Sequence, residues 1–478
     1  MTEARTSHST PGPVGATRRL NDRRLPLWQA VVAFLVLATL YVSVSFQQYR
    51  RMDAYIFDLG FFASVVRDYS YGDLPEIPLT DTATAALHFS PALAVLAPLV
   101  LLVGSPLTLL FAQAVAVAAG VVPLMRAAGA GVTAWVVALS YGLAPGFGAL
   151  IGFDFHEVAL AVPLVSLSMA AMLRADHPAA VLWALPLILV KEDLGLTVAA
   201  LGAVVFLRGS RRWGLLAVVV GAGAFLAIHG WLLPVLNGDS GGFSSKYAPT
   251  SPADALRILA DGVPSKLRTV LFLLLPTGLL ALRAPMLLLV ALPTFGWRFL
   301  SDRYTYWDPW YQYDAVLVPV AVAAMIEGAR LLEDRVRGAF LGIAALATLA
   351  LVPQHAFSQV WQRDFWSEQP RTVAVDRALD EIPTGSRVAA SDNLGARIAL
   401  RTELYLVGDT LAPDGPPAPP SEFDEVEWVA FDLRFPYPPT QEWRGFAQLL
   451  DSGAFEVVAD IDGVIVAQRR SEPGPGAG

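Results

Sequence analysis

The residues most able to do chemistry in this sequence are an amine, acids and imidazoles set inside or beside apolar runs. Lys191-Glu192-Asp193 stands between the runs Ala179–Val190 and Leu194–Leu207. Charges within a hydrophobic segment are expensive and mark cavities, partners or ligands. Lys191 stands out for a second reason: of 34 basic residues, only Lys191, Lys246 and Lys266 are lysines. An ammonium is a compact point charge suited to a phosphate. The structural alternative is a Lys191–Asp193 or Lys191–Glu192 pair that plugs the helix packing.

A second set is Gly152-Phe153-Asp154-Phe155-His156-Glu157. A spacing of three would put Asp154 and Glu157 on one helix face, with His156 beside them. Such a set suits a divalent cation, Mg or Mn, or a general base. The alternative is an N-terminal cap, where the helix dipole favours acids. Asp58 lies in Phe57-Asp58-Leu59-Gly60. An acid beside an apolar wall can serve as a general base, whereas on a solvated helix it does nothing special; Asp53, Asp68 and Asp73 fall under that second reading. His88 precedes Phe89-Ser90-Pro91 at a predicted helix start. The chain has no Walker loop, no G-x-G-x-x-G and no H-E-x-x-H, so nothing supports ATP hydrolysis or zincin chemistry. It has no cysteine, which excludes disulfides, thiolate catalysis and Cys–metal sites.

The elements that must position these residues are membrane helices. Of 478 residues, 55% are hydrophobic and 16% charged, well below the roughly 25% charge of soluble domains. Mean hydropathy is +0.50. Apolar runs long enough to cross a bilayer recur, which predicts a polytopic α-helical membrane protein. The net charge of −8 gives no reason to expect nucleic acid as a partner. Residues 1–25 read as a disordered cytoplasmic tail ending in arginines, and Leu27–Phe46 as a retained first span. Tyr55, Leu59, Phe62 and Val66 recur at helical spacing, which predicts an amphipathic helix at the membrane surface. With Ala92–Val103 taken as a re-entrant or juxtamembrane helix, about 11 spans follow, including a short pair at 179–190 and 193–207. That scheme puts Arg126, Arg174, Arg208, Arg211, Arg212, Arg283, Arg330, Arg335 and Arg337 on the cytoplasmic side, as the positive-inside rule asks. It puts Asp58, His88, Asp154, His156, Glu157, Lys191 and the stretch Tyr304–Asp314 outside. Segments of 11 to 15 residues do not cross a core of roughly 30 Å unaided, so the short pair must meet a cavity or thinned membrane.

Residues 237–265 form a Gly-, Ser- and Pro-rich outer loop. Residues 301–313 hold six aromatics among thirteen, with Arg303 and Asp308 interleaved. An interfacial aromatic belt explains such a loop, and so does a sugar or acceptor wall of Arg298, Arg303, Tyr304, Trp307 and Gln312. The predicted domains are a transmembrane domain over 26–354, an extracytoplasmic α/β domain over 355–470 and a disordered tail over 471–478. In the α/β part, strands are expected at Arg387–Ser391, Glu403–Val407, Val426–Asp432, Phe455–Asp460 and Val464–Gln468. Helices are expected at Val373–Glu381, Leu394–Leu400 and Gln441–Leu450, with a Pro-rich loop at Ala412–Pro420.

Phe57-Asp58-Leu59-Gly60, His88-Phe89-Ser90-Pro91, Asp154-Phe155-His156-Glu157 and Lys191-Glu192-Asp193 together resemble the domain-of-unknown-function 2079 family of predicted bacterial membrane proteins. The resemblance covers about residues 30–330, and the α/β tail is also typical. That family is grouped with GT-C glycosyltransferases, which take sugars from polyprenyl-phosphate carriers. The order of features is similar to the lipid A aminoarabinose and protein O-mannosyl transferases. It implies a GT-C-like fold in the bacterial plasma membrane and a polyprenyl-phosphate sugar as lipid partner. Asp58 would match the catalytic Asp of the first outer loop, with Asp154 near a second outer Asp. His88–Leu93 would match a His-Pro-Pro-Leu helix, and Lys191 the lysine that contacts the carrier phosphate. His156, Glu157, Glu192 and Asp193 would hold a metal or substrate. The motifs differ in detail: His88-Phe89-Ser90-Pro91 is not His-Pro-Pro-Leu, and two acids follow Lys191 in place of Gly-Pro. A transporter or lipid flippase using the Lys191-Glu192-Asp193 cluster, and a non-catalytic scaffold, are the rival readings.

Overall fold

The computed structural model describes residues 24–75, 88–236, 248–367, 369–406, 425–435 and 441–470. The two tails, the start of the 237–265 loop and the loop Ala412–Pro420 lie outside the described residues.

The chain is mostly helical. Among the described residues four helices are long and apolar enough to cross a membrane: Leu27–Arg50, Leu107–Ala128, Arg211–Leu236 and Asp334–Gln354. At 1.5 Å per residue the first is about 36 Å long, more than a hydrocarbon core of roughly 30 Å. Its outward face shows Leu27, Trp28, Leu35 and Val36, a surface fit for lipid. Val132–Gly142 and Pro145–Ile151 follow each other with a bend of 44° between them. The break falls at Ala144, whose extended ψ of 136° is what a residue before proline prefers. Shorter apolar helices run over 91–103, 157–173, 177–189, 194–207 and 285–299. The helix Leu194–Leu207 packs on Arg211–Ala227 through glycine, since a Cβ on Gly202 would stand 2.6 Å from the Val218 nitrogen. At one end of the bundle, Arg330 donates to the carbonyls of Leu173 (2.8 Å) and Ala127 (2.7 Å), gathering three helix C-termini. Arg208 joins them there by a two-pronged bond to Glu327 at 2.7 and 2.9 Å.

The last hundred residues form a five-stranded sheet. Its strands are β1 (Arg387–Ala390), β2 (Glu403–Leu406), β3 (Trp428–Asp432), β4 (Phe455–Ile461) and β5 (Val464–Arg469). The order is β2-β1-β3-β5-β4, with β1 parallel to both β2 and β3 and the rest antiparallel. Helix Gln441–Asp451 covers one face, where Phe446 stacks on Phe431 at 4.1 Å. Helices Pro370–Leu379 and Asp392–Ile398 cover the other.

The stretch after the first helix differs from the surface helix its spacing predicts. It is a π-helical turn, Ile56–Gly60, closed by the Gly60 amide on the Tyr55 carbonyl at 3.0 Å and followed by helix Phe61–Tyr71. Leu59, Phe62 and Val66 are buried, but in a core shared with Val388, Ala390, Leu394 and Ile398 of the α/β unit. The apolar stripe faces protein, not lipid.

Candidate active site

The candidate residues meet at the end of the bundle nearest the sheet. They form an alternating row of charge. His156 Nε2 stands 3.0 Å from Asp58 Oδ1. Glu157, the next residue, pairs with Lys191. Glu192, the residue after Lys191, accepts His88 Nδ1 at 2.8 Å. Two dipeptides, His156-Glu157 and Lys191-Glu192, therefore tie together three pairs from distant parts of the chain. The His156–Asp58 approach lies off the hydrogen-bond axis, and neither ring nitrogen has an aligned partner among the described residues. The imidazole, only 5% exposed, is thus available to a ligand.

Each member is placed by a local cause. Gln113 is the fully buried polar residue of the apolar helix Leu107–Ala119. Its side chain donates to the Asp154 carbonyl at 2.7 Å and accepts the His156 amide at 2.9 Å. Those peptide groups are taken from any helix, so residues 154–156 stay extended and a 3₁₀ turn begins only at Glu157. The expected shared helix face of Asp154 and Glu157 does not form. Asp154 is buried, and its carboxylate accepts the Tyr55 amide at 2.7 Å and the Phe155 amide at 2.8 Å. It anchors the Asp58 turn through the Tyr55 amide. Lys191 lies in the break between Leu185–Leu189 and Leu194–Leu207, where the helix stops. Its partner is Glu157, 34 residues earlier, and not Glu192 or Asp193 as the local plug would have it. Oδ1 of Asp193 and Oε2 of Glu192 are buried without a partner among the described residues.

The aromatic loop reaches the same place through rings. Phe153 stacks on His156 at 5.6 Å and meets Tyr311 edge-on at 5.7 Å. Tyr304, largely exposed, touches Tyr311 at 6.4 Å. Tyr313 is close enough to feel the charges of Lys191, Arg303 and Asp58. Arg303 lies over the Tyr306 ring at 5.4 Å. The other members of the expected wall turn inward. Arg298 is wholly buried and donates to Asp314 at 2.5 Å and to the Tyr306 carbonyl at 2.6 Å. Trp307 packs under Lys266 and donates to the Ser301 carbonyl at 3.2 Å, and Gln312 is buried. A buried guanidinium needs a carboxylate partner, and Arg298 and Asp314 together brace the loop.

Asp154, His156 and Glu157 spread to three different partners. Among the described residues no group of three His, Asp or Glu side chains is placed to hold a metal ion. Two members of the site escaped the sequence. Gln113 carried a signal, a lone amide in an apolar span. Asp392 carried none. Its Oδ1 accepts the Ile56 amide at 2.7 Å, reaching the Asp58 turn from the α/β unit.

The fold matches that of ArnT from Cupriavidus metallidurans. The apo structure gives a TM-score of 0.55 at 17% identity, covering 91% of this chain and 97% of that one. The structure bound to undecaprenyl phosphate gives 0.53 at the same identity and coverage. At that identity the likeness is one of fold. No curated protein sequence matches the chain. The family described as predicted membrane protein (DUF2079) matches residues 48–466, from the end of the first helix into the last strand. That stretch takes in Asp58, His88, His156, Lys191 and Asp392 alike, and the chain belongs to the DUF2079 family of predicted membrane proteins.

Proposed function

We propose that this protein is an inverting membrane glycosyltransferase that takes a sugar from a polyprenyl-phosphate carrier and gives it to an acceptor outside the cytoplasm. One observation carries the reading: Asp58 and Lys191 belong to one row of paired charges, joined through the adjacent residues His156 and Glu157, on a fold shared with a protein whose structure holds undecaprenyl phosphate. The gathering of Arg330, Arg208 and the helix C-termini at the opposite end supports a cytoplasmic side there and an outer site here.

In this reading Asp58 accepts the proton of the acceptor hydroxyl as its oxygen bonds to the anomeric carbon. The bond from that carbon to the phosphate oxygen breaks on the opposite face, and the carrier phosphate leaves with the electron pair. His156, against Asp58, steadies the carboxylate and can relay the proton. Lys191 meets the negative charge growing on the phosphate, a contact worth most in a poorly hydrated site. Glu157 holds Lys191 until the phosphate displaces it. Arg303, Tyr304 and Tyr311 offer stacking and donors at the mouth. The α/β unit stands beside it.

The test is sugar transfer in membranes from a labelled polyprenyl-phosphate sugar. Asp58→Asn should lose transfer while expression and detergent extraction persist. Transfer at the normal rate by Asp58→Asn removes it as base. Uptake in proteoliposomes without a glycosyl product would favour a transporter instead.

A further inference from the structure

We propose that Asp392 of the α/β unit is a positioning residue for Asp58, and that this unit completes the active site by clamping the Asp58 turn. The proposal rests on the reading of Asp58 as base. The sequence suggests a free-standing domain; the packing makes it part of the site.

The geometry starts from the sheet. Open sheets with parallel strands take ligands beyond their carboxyl ends, where neighbouring connections diverge. Here β1 runs on through helix Asp392–Ile398 to β2 on one side, and β3 lies on the other. The crevice at the carboxyl ends of β1 and β3 is filled by the turn Ile56–Gly60 from the membrane part of the chain. Ile56 is fully buried there. A Cβ added to Gly395 would stand 2.0 Å from Ile56 Cδ1, so a glycine lets the turn seat. Across the turn, the Gly60 Cβ position lies 3.4 Å from Ala396 Cα.

Polar contacts lock the seat. The Tyr55 amide goes to Asp154 at 2.7 Å and the next amide, of Ile56, to Asp392 at 2.7 Å. Two carboxylates, 238 residues apart, thus grip adjacent peptide groups just ahead of Asp58. Around them Arg397 lies over the Tyr49 ring at 4.5 Å and donates to the Tyr49 carbonyl at 3.1 Å. Thr372 donates to the Arg50 carbonyl at 2.5 Å. Asp392 is itself held by its neighbours: Asn393 donates to Asp432 at 2.8 Å, and Arg371 pairs with Asp432 from the covering helix. Burial pushes the Asp392 carboxyl up, the Ile56 amide pulls it down, and the charge of Asp58 pushes it up again, to about 7.

The experiment uses the full-length protein in detergent or nanodiscs with Asp392→Ala and Asp392→Asn. Hydrogen exchange over residues 54–60 should quicken at least tenfold in Asp392→Ala, with the spans unchanged. The kcat of transfer should fall roughly 10- to 100-fold while the donor KM moves less than about twofold, because Asp392 touches no substrate. In the wild type kcat should rise through pH 7 as Asp392 ionises, and in Asp392→Asn this rise should vanish. A purely structural role would leave the pH profile as it was. Unchanged exchange at 54–60 in both variants, or wild-type kcat and pH profile beside a dead Asp58→Asn, overturns the clamp and leaves the glycosyltransferase reading standing. Full transfer by Asp58→Asn overturns that reading instead, and the exchange data alone then decide whether Asp392 holds the turn.

Discussion

Lys191 has two readings, a phosphate ligand and a packing plug, and its pairing with Glu157 allows them to be separated. Consider Lys191→Met, Glu157→Gln and the two together. In Lys191→Met the Glu157 carboxylate, with a side chain 2% exposed, loses its partner. Removing one member of a buried pair costs about 3–5 kcal/mol. Protonation limits the damage: neutralising an ordinary glutamate at pH 7 costs about 2.7 pH units, or roughly 3.7 kcal/mol. Glu157→Gln should cost less, about 1–2 kcal/mol, because Lys191 keeps Glu192 and Asp193 as charged neighbours. The double variant has no stranded charge. Neutral replacement of a buried pair is often harmless, so it should return to within about 1 kcal/mol of the parent.

Transfer should follow a different order. A hydrogen bond from a charged donor contributes about 1.5–3 kcal/mol, so losing Lys191 should lower kcat/KM roughly 10- to 150-fold in both Lys191→Met and the double variant. Glu157→Gln should keep kcat/KM at or above the parent, since its amide competes less with the phosphate. The assay pairs a heating series, read as the monodisperse fraction in detergent, with transfer from a labelled polyprenyl-phosphate donor. Stability restored without transfer in the double variant is the expected result. Restoration of both would make Lys191 a plug and end its assignment to the phosphate.

Topology can be tested directly, because the chain lacks cysteine: Ser452→Cys should react with an impermeant maleimide in whole cells, and Arg335→Cys only after permeabilisation. Arg330→Ala should lower the heating midpoint, since two buried helix-end carbonyls lose a charged donor, a loss of about 1.5–3 kcal/mol each. Gly395→Ala should destabilise the protein by about 1–3 kcal/mol, because Ile56 is buried and has little room to yield; unchanged exchange at 54–60 would show that it yields after all.

The legible part of this structure was the part set by local pattern. The strands from Arg387 to Arg469 announce themselves by alternation and β-branched residues, and all five occur. The break at Lys191 was legible because three ionisable residues cannot continue a lipid-facing helix. What stayed hidden was partnership across the chain. Nothing near Lys191 points to Glu157, and nothing near Asp392 separates it from an ordinary acid in the first turn of a helix. The helix predicted through Asp154–Glu157 failed for a reason outside the segment, since Gln113 claims the peptide groups on both sides of Phe155. The stripe Leu59-Phe62-Val66 was correctly seen as apolar and wrongly assigned to lipid, because amphipathicity does not say which apolar surface it meets.

The clamp also has an energetic consequence that runs against its use. Asp58 is near enough for its charge to reach both Asp154 and Asp392. Asp392 titrates in the folded protein at about 7, whereas an unfolded aspartate titrates near 3.9. Between those values the folded state binds more protons than the unfolded state, so stability must fall as pH rises. The span of about 3 pH units corresponds to at most about 4 kcal/mol lost from pH 4 to pH 7, before other groups are counted. Catalysis needs the opposite: an ionised Asp392 grips the Ile56 amide more firmly and strengthens Asp58 as a base. The site is therefore expected to be most active where this carboxylate weakens the fold. Asp392→Asn should flatten this part of the pH dependence, leaving the protein more resistant to heating than the parent at pH 8 and less active there. A variant that is no more resistant than the parent at pH 8, or that loses resistance equally at pH 5 and pH 8, would show that the carboxylate is not held against its own charge.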